Sequence, residues 1–461
     1  DWESLQVEED SGPLVPRPML NIATQTAVMP GSTFKLVTSL AALENGLDPQ
    51  AVITDYGYVE VGDQTFNNLA WTEYGITQGE ENLYGAIRDS NNYYFYVLAL
   101  GENPHDGKSI GTKLELNDIR VAAEKLGLDQ PTGIEVNIPK ETTGNIPSIG
   151  KKVEITKAML QNYLEDRLPV YLKDGVKKSK SEFENDVLEI VNMTSSPSKW
   201  TRSKIIDFLD EKGYNAEQSL GEDRAGLADT IKFTYLNQAE WDITDMLNIV
   251  IGQGQNSYTP IQMNRAIAGL TNGGYLNKLT LVDKITNHDS GDVLFNNVPQ
   301  RTRIDLKDKK YLEDIKYGTL LVSQNNKILN QMPVDIGIKT GTAEVEGKNP
   351  DGTDYDSYAW MVGFAPYDDP EIAISIVLTQ GDTSYNASPI MRDLVSKYFD
   401  LDVFISNSGD TKLDADRTEL GDSVTNGDEP NINPDELNLD DDDPIRNDNQ
   451  SQNKTKDTTS N

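Results

Sequence analysis

A serine and a lysine stand three residues apart in Ser32-Thr33-Phe34-Lys35, directly after Pro30-Gly31. Apolar residues at Phe34, Val37, Leu40, Ala41 and Leu43 follow a helical period, and Asn45-Gly46 supplies a stop. The spacing predicts a helix over about 32–45, with Ser32 at its N-terminus and Lys35 on the same face one turn on. The partial positive charge of a helix start favours an alkoxide forming on Ser32. A lysine shielded from water has its pKa lowered and can accept the hydroxyl proton. A Ser-Lys pair can thus replace a Ser-His pair, which fits a chain with only two histidines. His105 lies in the turn-like stretch Gly101–Gly107 and His288 in the turn Asn287–Gly291, and both read as ordinary loop residues. Taken alone, the motif also reads as an N-cap serine with an exposed lysine.

Two further motifs carry polar groups at short spacing. Ser90-Asn91-Asn92 lies between a helix-like run, Glu80–Asp89, and an aromatic-apolar run, Tyr93–Leu100. On a connecting loop, Ser90 and Asn92 can face one cleft. There Ser90 suits a proton relay to a leaving amine. Asn92 suits a donor to a substrate carbonyl and a support for Lys35. Alone, this stretch is also a plain turn. Lys339-Thr340-Gly341-Thr342 follows Ile336-Gly337-Ile338, a lead that reads as a short strand. Gly341 leaves no side chain between that strand and an extended peptide beside it. Lys339 with the hydroxyls of Thr340 and Thr342 suits a carboxylate. The backbone N–H groups of Ser32 and Thr342 suit an oxyanion hole.

These motifs need a folded body to bring them together. Residues 1–150 alternate helical and strand-like segments. Residues 151–240 are rich in Lys, Glu and Asp, with apolar residues at helical spacing (Val187, Ile190, Val191; Ile205, Ile206, Leu209), and read as a helical insertion. Residues 241–404 return to mixed composition. A helix is expected from Pro260, capped by Thr259 and ended at Asn272-Gly273-Gly274. Strands are expected at Ala359–Phe364 and Ile372–Leu378, joined at Asp368-Asp369-Pro370. Residues 405–461 hold 15 acidic and 5 basic residues and no aromatic, which predicts a disordered acidic tail. The run Asp440–Asp443 reads first as solvated and second as a calcium site.

The bulk composition excludes several functions. A formal charge of −34 argues against nucleic acid and against anionic lipid. The absence of cysteine removes disulfides, thiolate catalysis and cysteine zinc sites. No cofactor and no metal site is expected. No run reaches the ~20 apolar residues of a membrane span, and no signal peptide is present. The chain opens at Asp1 rather than Met, and a further segment upstream is expected.

In order and content, Ser-x-x-Lys, Ser-x-Asn and Lys-Thr-Gly resemble the signature of the penicillin-recognising serine acyltransferases. The flanks extend the resemblance. Met29-Pro-Gly-Ser-Thr-Phe-Lys35 is similar to the Pro-Gly-Ser-Thr-Phe-Lys of the class B penicillin-binding proteins. Ile251-Gly-Gln-Gly254 with Thr259-Pro-Ile-Gln-Met263 resembles their Gly-Gln-Gly…Thr-Pro-Leu-Gln segment. Ala359-Trp-Met-Val-Gly-Phe-Ala-Pro366 resembles the strand they place after Lys-Thr-Gly. Over residues 14–150 and 241–400 the chain looks most like the elongation-type penicillin-binding protein 2 subgroup of a Gram-positive bacterium.

The resemblance implies an α+β, multi-layer fold of the penicillin-recognising serine transferase (β-lactamase-like) type. A central antiparallel sheet is flanked by helices, and an all-helical subdomain is attached. It implies a peptidoglycan D,D-transpeptidase that attacks the D-Ala-D-Ala bond of a stem peptide, releases D-Ala and passes the acyl group to a neighbouring amine. β-Lactams would acylate the same serine. Carried over by motif, Ser32 is the nucleophile and Lys35 its base. Ser90 and Asn92 assist proton transfer and positioning. Lys339, Thr340 and Thr342 anchor the terminal carboxylate. A glycosyltransferase and other wall-synthesis proteins are the implied partners, at the extracytoplasmic face of the cell membrane. The family's membrane anchor, pedestal domain and first transpeptidase strand are not found here. Asn91 stands where relatives often carry Asp, and the 151–240 insertion lengthens the spacing from Ser90 to Lys339. Other readings of the motifs are a serine β-lactamase, a D,D-carboxypeptidase, or a non-catalytic β-lactam sensor or scaffold.

Overall fold

The computed structural model describes residues 20–135, 140–221, 223–345, 347–349 and 352–401. The expected acidic tail over 405–461 lies outside the described residues.

The Ser32 segment starts as a 3₁₀ turn, Gly31–Phe34, and continues as helix α1, Lys35–Glu44. Every residue of α1 is buried. Its apolar side chains Leu36, Val37, Leu40 and Leu43 join the main core, and each fully buried leucine contributes roughly 2 kcal/mol. Asn45 closes the helix, and Gly46 follows with φ +91°, a conformation that favours glycine. Helix α2, Leu83–Arg88, and helix α3, Asn92–Leu100, flank Ser90. Asn91 caps α3, its side chain accepting from the backbone N–H of Tyr94.

Three longer helices come next: α4, Ile149–Arg167, α5, Lys180–Asn192, and α6, Arg202–Glu211. They surround a core of their own, in which Leu160, Leu164, Leu168, Tyr171, Ile190, Ile205, Leu209 and Tyr214 are fully buried. This helical lobe is separate from the main core, so each side holds itself together by its own apolar packing.

The chain returns to the main core with α7, Ile243–Val250, α8, Pro260–Thr271, and α9, Lys310–Asn325. A capping box starts α8: the Thr259 side chain accepts from the Gln262 N–H, and the Gln262 side chain accepts from the Thr259 N–H. Three strands follow: β1, Gly337–Ala343, β2, Tyr358–Ala365, and β3, Ile372–Leu378. They form an antiparallel sheet in the order β3-β2-β1. The register sets Lys339 opposite Val362 and Gly341 opposite Trp360. All but the first residue of β2 is buried, as expected of a strand covered on both faces. Helix α9 and the Ser32 turn pack against β1, α8 packs against β2 and β3, and the last described helix, α10, Ser388–Tyr398, packs against β2. The three motifs therefore meet where the start of α1, the α2–α3 junction and the edge strand β1 converge. No described helix is long and apolar enough to cross a membrane.

Candidate active site

Ser32 sits in the first turn of its helix and is partly exposed. Among the described residues its N–H has no backbone acceptor, as the geometry of a helix start dictates. One turn on, Lys35 is fully buried (0% exposed). Its Nζ donates to Asn92 Oδ1 at 2.7 Å, to the Ser90 carbonyl, and to Ser90 Oγ at 3.3 Å. No described carboxylate pairs with it. Burial drives the Lys35 pKa well below the usual lysine range, and the charge of Lys339 lowers it further. In its neutral form the amine keeps two N–H donors for Asn92 and the Ser90 carbonyl and has one lone pair free to accept a proton.

Lys339 comes from β1 and is also fully buried. Its Nζ donates to Ser90 Oγ at 2.9 Å and to the Thr340 carbonyl at 3.0 Å. Ser90 Oγ therefore stands between two amines. Ser90 itself has φ +55°, in the left-handed region, although it is not glycine. Strained backbone of this kind marks positions where surrounding contacts override local preference.

The Ser32 turn and β1 touch backbone to backbone. A Cβ on Gly341 would stand 2.7 Å from the Pro30 carbonyl oxygen and 2.8 Å from the Thr33 nitrogen. The room that Gly341 leaves is therefore filled by the chain's own Ser32 turn. This corrects the expectation that it clears space for a peptide beside the strand. Gly31, with φ +52°, faces the Thr342 carbonyl in the same seam.

Strand alternation puts Lys339 and Gly341 on one face of β1 and Thr340 and Thr342 on the other. Among the described residues no hydrogen bond joins either threonine hydroxyl to Lys339. Thr340 is buried, whereas Thr342 is partly exposed at the rim. Ser32, Lys35, Ser90, Asn92 and Lys339 are brought together; the Thr340 side chain is not part of that cluster.

Four residues beneath the second motif were not singled out from sequence as chemistry. Asp55, Asn68 and Asn91 are buried and Gln78 is partly buried. Together they form one hydrogen-bonded hub. The Asp55 side chain accepts from the Gly57 N–H, and Asn68 caps a short helix. Asn91, which stands where relatives often carry Asp, has a fully buried amide bonded on both sides. A helix cap signal before Tyr94 could have marked it. The two histidines lie outside the cluster: His105 stacks on Tyr56 with ring centroids 4.9 Å apart, and His288 is exposed. Among the described residues no group of His, Asp and Glu could hold a metal ion.

The chain is similar to several known proteins. The peptidoglycan D,D-transpeptidase MrdA of Haemophilus influenzae is 23% identical over 399 residues, 83% of this chain and 46% of that protein. A solved complex of penicillin-binding protein 2 and MreC from Helicobacter pylori superposes with a TM-score of 0.55 at 19% identity, covering 87% of this chain and 54% of the other. Penicillin-binding protein A of M. tuberculosis, solved as an imipenem acyl-enzyme complex, superposes with a TM-score of 0.55 at 17% identity, covering 86% of this chain and 64% of that one. The two structures share the α+β fold. The chain thus spans less than two thirds of the length of each of these relatives. The family description "Penicillin binding protein transpeptidase domain" matches residues 3–164 and 199–396, and the chain belongs to that family.

Proposed function

We propose that the chain is a peptidoglycan D,D-transpeptidase working through an acyl-enzyme on Ser32. The observation that carries this reading is the buried Lys35 amine. Among the described residues it has no carboxylate partner, it follows the partly exposed Ser32 by one turn, and Ser90 and Asn92 hold it. Ser32 Oγ attacks the carbonyl of the D-Ala-D-Ala bond while neutral Lys35 takes the hydroxyl proton. The oxyanion forms against the N–H groups of Ser32 and Thr342. As the C–N bond breaks, the leaving amine takes a proton from Ser90 Oγ, which is replenished from the adjacent amines at 2.9 and 3.3 Å. An amine of a neighbouring stem peptide then attacks the ester and releases Ser32. The charge of buried Lys339 attracts the terminal carboxylate through space, and the Thr342 hydroxyl, on the other face of β1 at the rim, is its direct contact. A β-lactam carries its carbonyl and carboxylate in the same relation and acylates the same oxygen.

The substrate class places this reaction at the extracytoplasmic face of the membrane, together with a glycosyltransferase and other wall-synthesis proteins. The Helicobacter pylori relative was solved with MreC, which supports a wall-synthesis setting. The test is covalent labelling by a fluorescent penicillin. The full chain should take up one label per molecule in a single burst, and Ser32→Ala should take up none. Many turnovers of hydrolysis in place of one burst would move the reading to a β-lactamase. Undiminished labelling of Ser32→Ala would remove Ser32 as nucleophile.

A further inference from the structure

The left-handed backbone at Ser90 has an identifiable cause. Asp55 lies 36 residues before Asn91 in sequence and accepts from its Nδ2 at 3.0 Å. The same Asp55 oxygen accepts from Asn68 Nδ2 at 2.8 Å and from the Gln78 N–H at 3.1 Å. Its other oxygen accepts from the Gly57 N–H at 2.7 Å. Gln78 Oε1 accepts a further N–H from the amide of Asn68 and from that of Asn91, both at 2.7 Å. Gln78 Nε2 donates to the carbonyl of Asp89 at 3.1 Å. Asn68 Oδ1 accepts from the Asn92 N–H at 3.0 Å. Ser90 is thus held from the residue before it and from the two residues after it.

We propose that Asp55, with Asn68 and Gln78, is a positioning device for acyl transfer. It acts through Asn91 and Asp89 to fix Ser90 in the left-handed conformation that aims its carbonyl and hydroxyl at Lys35 and Lys339. The proposal rests on the reading of Ser32 as nucleophile. The three residues bond to one another, to Asp89 and Asn91, and to the Asn92 N–H, so their effect on Lys35 and Lys339 passes through the loop. A serine keeps such a backbone only where its surroundings over-determine it. Without the hub, Ser90 relaxes to negative φ. Its carbonyl then leaves Lys35 Nζ and its hydroxyl leaves Lys339 Nζ. The groups that take a penicillin non-covalently, Lys339 and Thr342, stay on β1. The defect therefore falls on the chemical step and spares binding.

Stopped-flow acylation of the full chain by a fluorescent penicillin separates the two, giving the dissociation constant of the non-covalent complex and the rate constant for acylation. Asp55→Ala should lower the acylation rate constant roughly 10- to 100-fold, the scale of an ångström-sized misplacement, and leave the dissociation constant within about threefold. Should Asp55→Ala fail to fold, Gln78→Leu tests the same clamp from its partly buried rim and should show the same split at smaller size. Asp186→Ala, a destabilising change in the helical lobe, serves as the control. It should lower the melting temperature and leave the acylation rate constant of the folded protein unchanged. Wild-type acylation in a folded hub variant overturns the proposal, as does an equal loss in both constants. A wild-type chain that takes up no penicillin overturns the Ser32 reading and the hub proposal with it. Labelling of the wild type alongside unimpaired Asp55→Ala overturns the hub alone.

Discussion

The helical lobe partly buries lysines and the main body buries Lys35 and Lys339 fully, and the two regions treat them in opposite ways. In the lobe, Lys178 donates to the buried carboxylate of Asp186. Lys212 approaches the same group at 3.1 Å, and the Tyr214 hydroxyl donates to it at 2.8 Å. Burial pushes the Asp186 carboxyl up, but hydrogen bonds from Lys178, Tyr214 and Lys212 outweigh it and hold the group below the usual carboxylate range. Arg167 and Asp223 repeat the arrangement at 3.3 Å, with Tyr163 and Tyr171 on the same acid. In the main body, Lys35 is buried against neutral acceptors and another lysine. Burying a charge without a counter-ion costs several kcal/mol, and the group sheds the charge instead. In the lobe, the hydrogen bond to Glu189 and the Asp186 carboxylate hold Lys212 above the usual lysine range, and the pairing holds structure. The body's Lys35 is pressed toward neutrality, which suits the proposed role of base. The contrast separates an amine paired for folding from an amine proposed for chemistry.

The contrast breaks most visibly at Lys35. Lys35→Ala should reduce acylation by about 1,000-fold, within the range for removal of a general base, while the thermal unfolding temperature does not fall. Acylation within threefold of wild type would sink the assignment of Lys35 as base. In the lobe the balance reverses. Asp186→Ala leaves the partly buried Lys178 beside Tyr214 without its carboxylate, and should lower stability by about 3 kcal/mol in urea denaturation. A loss below about 1 kcal/mol would show that the ion pair holds little of the lobe together.

A pH profile sharpens the comparison more finely. The proposed acylation needs neutral Lys35, so its rate should rise with pH through the depressed Lys35 pKa. Lys339→Gln removes the neighbouring positive charge, so the Lys35 pKa should move up toward the usual lysine range. The rising limb should therefore shift to higher pH. An unmoved limb would mean that burial alone sets the basicity. The same depressed pKa links folding to pH with a definite sign. Between the folded pKa and the usual lysine value, the unfolded chain binds a proton that the folded chain lacks, so stability contributed by this site rises with pH across that window.

Sequence carried much of this where the signal was local. The period of Phe34, Val37, Leu40 and Leu43 located α1, and Gly46 marked its end. Thr259-Pro260 opened α8 with the expected cap. The turn at Asp368-Asp369-Pro370 joins strands that match the expected runs to within one residue. The ordered Ser-x-x-Lys, Ser-x-Asn and Lys-Thr-Gly motifs named the residues that converge. What stayed hidden depends on contacts between distant segments. Asp55, Asn68, Gln78 and Asn91 have no shared period, and each alone resembles a turn or cap residue. Only folding places them on one another. The neighbour of Gly341 was hidden for the same reason, because the Ser32 turn that fills its space lies far away in sequence. The side of β1 to which Thr340 belongs was readable from strand alternation. The four-residue motif, taken as a block, obscured it.

The seam between the Ser32 turn and β1 also constrains how this protein can change. At Gly341 a single added methyl meets backbone atoms at 2.7 and 2.8 Å, and backbone cannot step aside as a side chain can. Under selection by a suicide inhibitor, this position offers no gradual path to a looser pocket. Variation must come from side chains at the mouth, such as Thr342 and Asn92, on which the proposed natural reaction also draws. If the proposed reaction holds, escape from such an inhibitor and retention of that reaction compete for the same few atoms, which makes stepwise resistance through the seam itself a closed route.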